Sequence, residues 1–317
     1  MRALREHAAC LIVISLALLA TGCWASAEAT VSATPQHAVT PPPVLTPTVS
    51  PTAELVGTLP ESKSERTLEA VEMVTFTILY DNNAYDPALQ TDWGFACMVE
   101  TAKATVLFDT GGNGTILMDN MAALGFDPHA IDAVVLSHAH GDHTGGLAKL
   151  LDTGARPVVY VPAAFPASFK TDVRARTDLV EVTDSIEILP GIYTSGEVGS
   201  GIVEQALVVE TGEGVVVITG CAHPGVVEMV RRSKEATGGE GGRSSATPLL
   251  VMGGFHLGAA SRSRIETIIA DLRDLGVQRV APCHCTGDVA RQMFADAFGA
   301  DCTLAGVGQV FVVGGRE

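Results

Sequence analysis

The stretch "AVVLSHAHGDHTGG" at 133–146 constrains this chain more than any other. An apolar, β-branched run breaks off into three histidines and one aspartate within six positions: His138, His140, Asp142 and His143. A run of this kind reads as a buried strand, so the cluster sits at a strand's C-terminal end, in a loop carried by a rigid element. His138 and His140 are separated by one residue, and in extended chain their imidazoles project to the same side. Two imidazoles can then reach one ion without a helix. Asp142 and His143 follow through a turn that Gly141, Gly145 and Gly146 permit. Nitrogen and oxygen donors at this density suit Zn²⁺, or Mn²⁺ and Fe, better than Ca²⁺ or Mg²⁺, which want oxygen. A single histidine is more often a hydrogen-bonded side chain than a ligand. Four donors at this spacing point to a metal site.

The rest of the chain shows what carries that loop. From about residue 68, β-rich runs at 71–80, 104–109, 133–137, 157–161, 205–210, 214–220, 248–252 and 309–313 alternate with helical patterns. "RIETIIADLRDLG" places Ile265, Ile268, Ile269, Leu272 and Leu275 at helical spacing, with Ser261 or Ser263 to cap its start and Gly276 its end. Residues 287–299 and 224–239 read as helices too, the second with Pro224 in its first turn. No internal repeat is present. The pattern predicts one α/β domain over 68–317 and leaves the strand order open.

The first residues belong to a different problem. Arg2 and Arg5 precede the apolar run Cys10–Ala20, which has signal-peptide length, and "LLATGC" at 18–23 resembles a bacterial lipobox. Residues 1–22 are therefore read as a lipoprotein-type signal, with lipid on Cys23 tying the protein to a membrane. Cleavage after "ASA" at 25–27, giving a secreted protein, and an uncleaved anchor are the alternatives; all three place the domain outside the cytoplasm. Residues 23–67, rich in Pro, Thr and Ser, read as an extended linker.

The formal net charge of −16, with no basic stripe, argues against nucleic acid as a partner and leaves a small-molecule substrate. Of seven cysteines, Cys10 goes with the signal and Cys23 with the lipid. The other five, Cys97, Cys221, Cys283, Cys285 and Cys302, cannot all pair and read mostly as buried free thiols.

"HAHGDH" resembles the His-x-His-x-Asp-His signature of the metallo-β-lactamase superfamily. "LYDNNA" (79–84), "DWGFACMVE" (92–100), "LFDTGGNG" (107–114), "GCAHPG" (220–225), "GGFHL" (253–257) and "APCHCTG" (281–287) narrow the likeness. Together they resemble the subgroup of 7,8-dihydropterin-6-methyl-4-(β-D-ribofuranosyl)aminobenzene-5′-phosphate synthase-like proteins, over roughly residues 72–313. The resemblance implies an α/β fold, a four-layer αββα sandwich, with a metal centre of one or two ions at an edge of its two sheets. It implies that His138 and His140 hold one metal and Asp142 and His143 the second, with His284 as the final histidine ligand. His223 is the candidate for the remaining imidazole. Cys221 stands where members usually carry a bridging aspartate, which leaves three alternatives: a thiolate ligand, a solvent bridge, or a single ion. Asp109 and Cys221 are read as residues behind the ligands, Asp109 orienting a histidine. Cys283 and Cys285, flanking His284 in extended chain, should point away into the core.

These assignments imply a metal-dependent hydrolase using metal-bound hydroxide on a small ester, amide or phosphoester, with Zn²⁺ as the first choice of ion. Asp142 would be ligand and proton acceptor, and His256 a proton donor or phosphate contact. Two alternatives stand beside it: a condensing enzyme of the pterin synthase type, and a non-catalytic metal-binding surface lipoprotein.

Overall fold

A computed structural model of the protein describes residues 71–237 and 247–315. The expected signal, the lipid site at Cys23 and the linker over 23–67 lie outside the described residues, as do both boundaries assigned there. Among the described residues no helix is long and apolar enough to cross a membrane.

In chain order the elements are β1 (Met73–Tyr80), β2 (Ala96–Thr101), β3 (Thr105–Phe108), α1 (Gly114–Ala123), β4 (Ala133–Val135), α2 (Gly141–Thr144), α3 (Leu147–Asp152), β5 (Val158–Pro162), α4 (Ala167–Arg174) and β6 (Leu179–Val182). They continue with β7 (Glu187–Leu189), β8 (Ile192–Thr194), β9 (Leu207–Thr211), β10 (Gly214–Thr219), α5 (Val226–Ala236), β11 (Pro248–Gly254), α6 (Arg262–Asp274), β12 (Arg279–Cys283), α7 (Asp288–Phe298) and β13 (Val310–Gly314). One sheet has the order β13-β1-β2-β3-β4-β5-β6 and the other β12-β11-β10-β9-β8-β7.

Strand alternation builds the layers. Phe76, Val99, Val106 and Phe108 of the first sheet meet Val209, Val216, Ile218 and Met252 of the second in one core between the sheets. Their neighbours along the strands face outward. Met98, Leu107 and Val134 pack under Leu117, Met121, Leu147 and Leu150 of α1 and α3. Val217, Val251 and Val280 pack under Met229, Ile265, Ile268 and Phe294 of α5, α6 and α7. Helix, sheet, sheet, helix is the result. Burial on both faces is why these strands read as continuous apolar runs, each such side chain supplying roughly 1.5–3 kcal/mol of transfer free energy.

Each run read as a strand forms one, with ends shifted by one or two residues. α6 is capped by the Ser261 side chain, which accepts from Arg264 N–H, and it buries Ile265, Ile268, Ile269 and Leu272. α5 begins later than the pattern predicts: Gly225, at φ 101°, is its N-cap, so Pro224 lies outside the helix. β2 and the short β6, β7 and β8, with α1, α3 and α4, had no predicted counterpart.

β3 and β4 run parallel, as do β10, β11 and β12. β1 is antiparallel to β2, which is antiparallel to β3, so β1 shares the direction of β3. The loops after all six of these strands gather where the two sheets meet, as carboxyl strand ends do in open α/β sheets.

Candidate metal centre

Proton accounting at that edge starts with Asp109, directly after β3. Its Oδ1 accepts the Ser137 N–H and its Oδ2 the Ser137 hydroxyl, both at 2.7 Å. The hydroxyl proton being spent there, Ser137 Oγ accepts from His138 Nδ1 at 2.9 Å. Asp109 Oδ2 also lies 2.7 Å from His143 Nδ1. His223 Nδ1 is 3.1 Å from Glu204 Oε2, and His284 Nδ1 is 3.0 Å from Asn82 Oδ1. Four imidazoles thus have Nδ1 tied to an acceptor and Nε2 turned inward, where it can offer its lone pair to a cation. His284 Nε2 is buried without a hydrogen-bond partner. Such an orphan is costly unless something else occupies its lone pair.

The inward atoms fall into two sets. Asp142, His143, Cys221 and His284 place their donor atoms within 4.8 Å of one another, and so do His138, Cys221 and His223. In the first, Asp142 Oδ2 is 3.5 Å from His143 Nε2 and 3.4 Å from His284 Nε2. In the second, His140 Nδ1 is 3.0 Å from His138 Nε2, and the His140 ring lies 4.9 Å from that of His223, on the exposed rim. Cys221, expected behind the ligands, lies among the donor atoms of both sets, its Sγ 3.2 Å from His143 Nε2. The reason is local. β10 ends at Thr219, and the chain turns inward through Gly220, where an added Cβ would stand 2.1 Å from Ser137 Oγ.

Glu204, which sequence reasoning missed, holds this turn. Fully buried, it accepts from the backbone N–H groups of Cys221, Ala222 and His223 at 2.7–2.8 Å, besides facing His223 Nδ1. Asp81 performs the same task for His284, whose N–H it accepts at 2.9 Å. Asp81 and Asn82 were visible within "LYDNNA"; the only sequence signal for Glu204 is a carboxylate placed directly before an apolar strand.

Asp109, Ala222, His256 and His284 are the non-glycine residues with positive φ among those described, at 56°, 57°, 52° and 47°. All four stand at this edge. Left-handed backbone costs roughly 1–2 kcal/mol per residue, and strain of that kind concentrates at functional sites.

The sequence profile of the metallo-beta-lactamase superfamily matches residues 94–267. The chain belongs to the metallo-beta-lactamase superfamily. It is 28% identical over 284 residues, 74% of this chain and 95% of the other, to 7,8-dihydropterin-6-methyl-4-(beta-D-ribofuranosyl)-aminobenzene-5'-phosphate synthase of Methanocaldococcus jannaschii. A crystal structure described as a metal-dependent hydrolase of the beta-lactamase superfamily superposes with a TM-score of 0.62 at 26% identity, covering 76% of this chain and all of the other. The metallo-beta-lactamase fold protein YhfI from Bacillus subtilis gives 0.59 at 13% identity over 76% of this chain and 100% of its own, a likeness of fold.

Within this superfamily the sequence reading placed Cys285 in the core, and the structure does not. Extended chain ends at Cys283, and His284 opens a short 3₁₀ turn. Cys283 stays in the inter-sheet core, whereas Cys285 swings toward Cys221 and His256. His256 is exposed, its ring 4.3 Å from that of His223.

The electrostatics follow from burial and pairing. Burial, with the neighbouring imidazoles, pushes His138 down to about 2, which keeps it neutral. Burial also opposes protonation of His143, but the Asp109 and Asp142 carboxylates outweigh it and hold the ring up at about 10. Burial would raise Asp142 and Glu204. The His143 and His284 rings, 3.5 and 3.4 Å from its carboxylate, instead pull Asp142 well below the carboxylate range, and His223 with the backbone N–H groups hold Glu204 at about 2. The metal-free site is therefore anionic at its carboxylates, with His138 neutral and His143 carrying a proton that a bound cation would displace.

Proposed function

We propose that the chain is a metal-dependent hydrolase of a small ester, amide or phosphoester, on a domain tethered outside the cytoplasm through lipid at Cys23. One observation carries the metal: four imidazoles with their outer nitrogens tied down and their inner ones converging with Cys221 and Asp142. Zn²⁺ is the ion that this N, S and O donor set favours, in one or both positions, with Mn²⁺ or Fe as alternatives. Bound there, it supplies Lewis acidity toward a substrate oxygen and acidifies water.

The chain's own residues do the rest. Asp109 and Glu204 fix ring orientation, and Asp142, with 22% of its side chain exposed, is the carboxylate placed to take a proton. A groove of about 780 Å³ runs from His223 and His256 past Gly199, Ile202 and Arg232. Substrate bound there reaches the centre from the His223 side. His256, raised above its ordinary value by its hydrogen bond to Cys285 despite some burial, stands where it can give a proton to a leaving group.

Elemental analysis of the purified chain against His223→Ala and His284→Ala tests the centre. Each variant should lose metal; full content in His223→Ala removes it from the ligand set. A screen of phosphodiester, phosphomonoester, lactone and β-lactam reporters with Zn²⁺ or Mn²⁺ tests the reaction. The 28% identity to the synthase supports a second reading, condensation to the product that enzyme is named for. Formation of that product without hydrolysis of any reporter decides for it. Tight metal binding with neither activity leaves a metal-binding surface protein.

A further inference from the structure

Two donor sets do not exhaust the sulfur and nitrogen at this edge. Cys285 Sγ, Cys221 Sγ and a ring nitrogen of His256 lie within 4.8 Å of one another, beyond the reach of the histidine loop. Three features place them there. The turn at His284 brings Cys285 out of line with β12. Gly254 leaves it room, because an added Cβ would stand 2.7 Å from Cys285 Sγ and 2.3 Å from Gly220 O. His256 follows two residues later in left-handed backbone, at φ 52°, which carries its ring over the pair. In the hydrolytic reading Cys285 only stands beside the His256 ring and is no metal ligand. A free buried cysteine that only fills space needs no histidine above it.

We propose that Cys221, Cys285 and His256 form a third metal position, distinct from the two histidine-based sets and selective for thiophilic ions. Two thiolates and one imidazole are a soft donor set, suited to Cd²⁺, Zn²⁺ or Cu⁺ and unsuited to Mg²⁺, Ca²⁺ or Mn²⁺. Both sulfurs are buried, at 3% and 7% exposure, while His256 is exposed and leaves the fourth coordination place to solvent. Filling the position draws on Cys221, which the other two sets share, and takes His256 from the groove. A soft ion there is therefore an inhibitor.

The test uses the full chain, stripped of metal and kept reduced, titrated with Cd²⁺. Thiolate-to-cadmium charge transfer in the ultraviolet counts sulfur ligands, and elemental analysis counts ions. Wild type should show both thiolates bound. Cys285→Ser should lose about half of the charge-transfer intensity and one ion, because one of two thiolates is gone. His256→Ala should keep the intensity at saturation but need at least about tenfold more Cd²⁺, the scale of losing a ligand-supporting group. Unchanged intensity and stoichiometry in Cys285→Ser overturn the proposal. If that variant fails to fold, His256→Ala decides, and an unchanged Cd²⁺ affinity overturns it equally. The hydrolytic centre is read separately, from Zn²⁺ content in His143→Ala. Loss of that reading with the Cys285-dependent step intact leaves the third position standing.

Discussion

The two donor sets share Cys221 but are built differently. The set of Asp142, His143 and His284 is enclosed: both histidines are buried, and Asp109 and Asn82 back them from strand ends of the first sheet. The set of His138 and His223, with His140 at its rim, opens to the groove and is backed by Ser137 and Glu204. The enclosed side is where a charged pair replaces solvent, and the open side is where substrate can arrive. Holding and presenting are therefore divided between the two donor sets, each of which draws on loops of both sheets.

If that division is real, damage behind the enclosed set should cost the most. Asp109→Ala leaves the Ser137 N–H and hydroxyl and the His143 Nδ1 facing nothing, all in a fully buried place. Removing one partner of a buried pair costs about 3–5 kcal/mol. Denaturant unfolding of the metal-free variant should show that loss, and elemental analysis of the variant as purified should show less metal than wild type. A loss under about 1 kcal/mol would mean that the enclosed set is not held by this pair.

Glu204 is the corresponding group on the open side, and pH separates it. Its carboxyl titrates at about 2 in the folded chain against an ordinary 4.5, so the folded state gives up this proton more readily than the unfolded one. The stabilisation is complete above about pH 4.5 and is lost as pH falls toward 2; the difference is worth about 3 kcal/mol. Glu204→Gln should remove this acid limb from the stability profile of the metal-free protein. It should also weaken metal at His223 by about 10–100-fold. An unchanged limb places the acid sensitivity in other carboxylates.

The contrast also explains what could be read from sequence. Four of the donors lie within six residues on one loop, so local spacing displayed them. The strands were legible because double burial leaves unbroken apolar runs, whereas the αββα layering came from the family resemblance alone. α1 was not, since "GTILMDNMAA" scatters its apolar residues instead of forming a stripe, and β6, β7 and β8 are only three or four residues long. Glu204 was invisible because it precedes Cys221 by 17 residues and acts through backbone N–H groups, which carry no residue signature. Cys285 was misplaced because the inference of extended chain failed at one residue, His284, whose backbone is left-handed.

A smaller effect should come from the glycines that let the sheets meet. In Gly254→Ala the new Cβ would stand 2.3 Å from Gly220 O, a backbone atom that cannot swing aside. Overpacking of this kind costs about 1–3 kcal/mol. The calorimetric midpoint should fall accordingly, and reactivity of Cys285 toward a thiol reagent should rise as its packing loosens. A midpoint equal to wild type would show that the edge has slack between the sheets.

The smallest effect, and one of opposite sign, belongs to the open side. His256 is exposed and sits at φ 52°, where an L-residue pays roughly 1–2 kcal/mol that glycine does not. Glycine loses about 0.5–1 kcal/mol more backbone entropy on folding, so His256→Gly should stabilise the metal-free chain by at most about 1.5 kcal/mol. The same change removes the imidazole from the groove and from Cys285, and so lowers turnover and soft-metal binding together. A gain in stability with a loss of both functions shows strain retained for the sake of the ring. A loss of stability means instead that the Cys285 hydrogen bond holds this corner, and that the open side shares in the structural work assigned to the enclosed one.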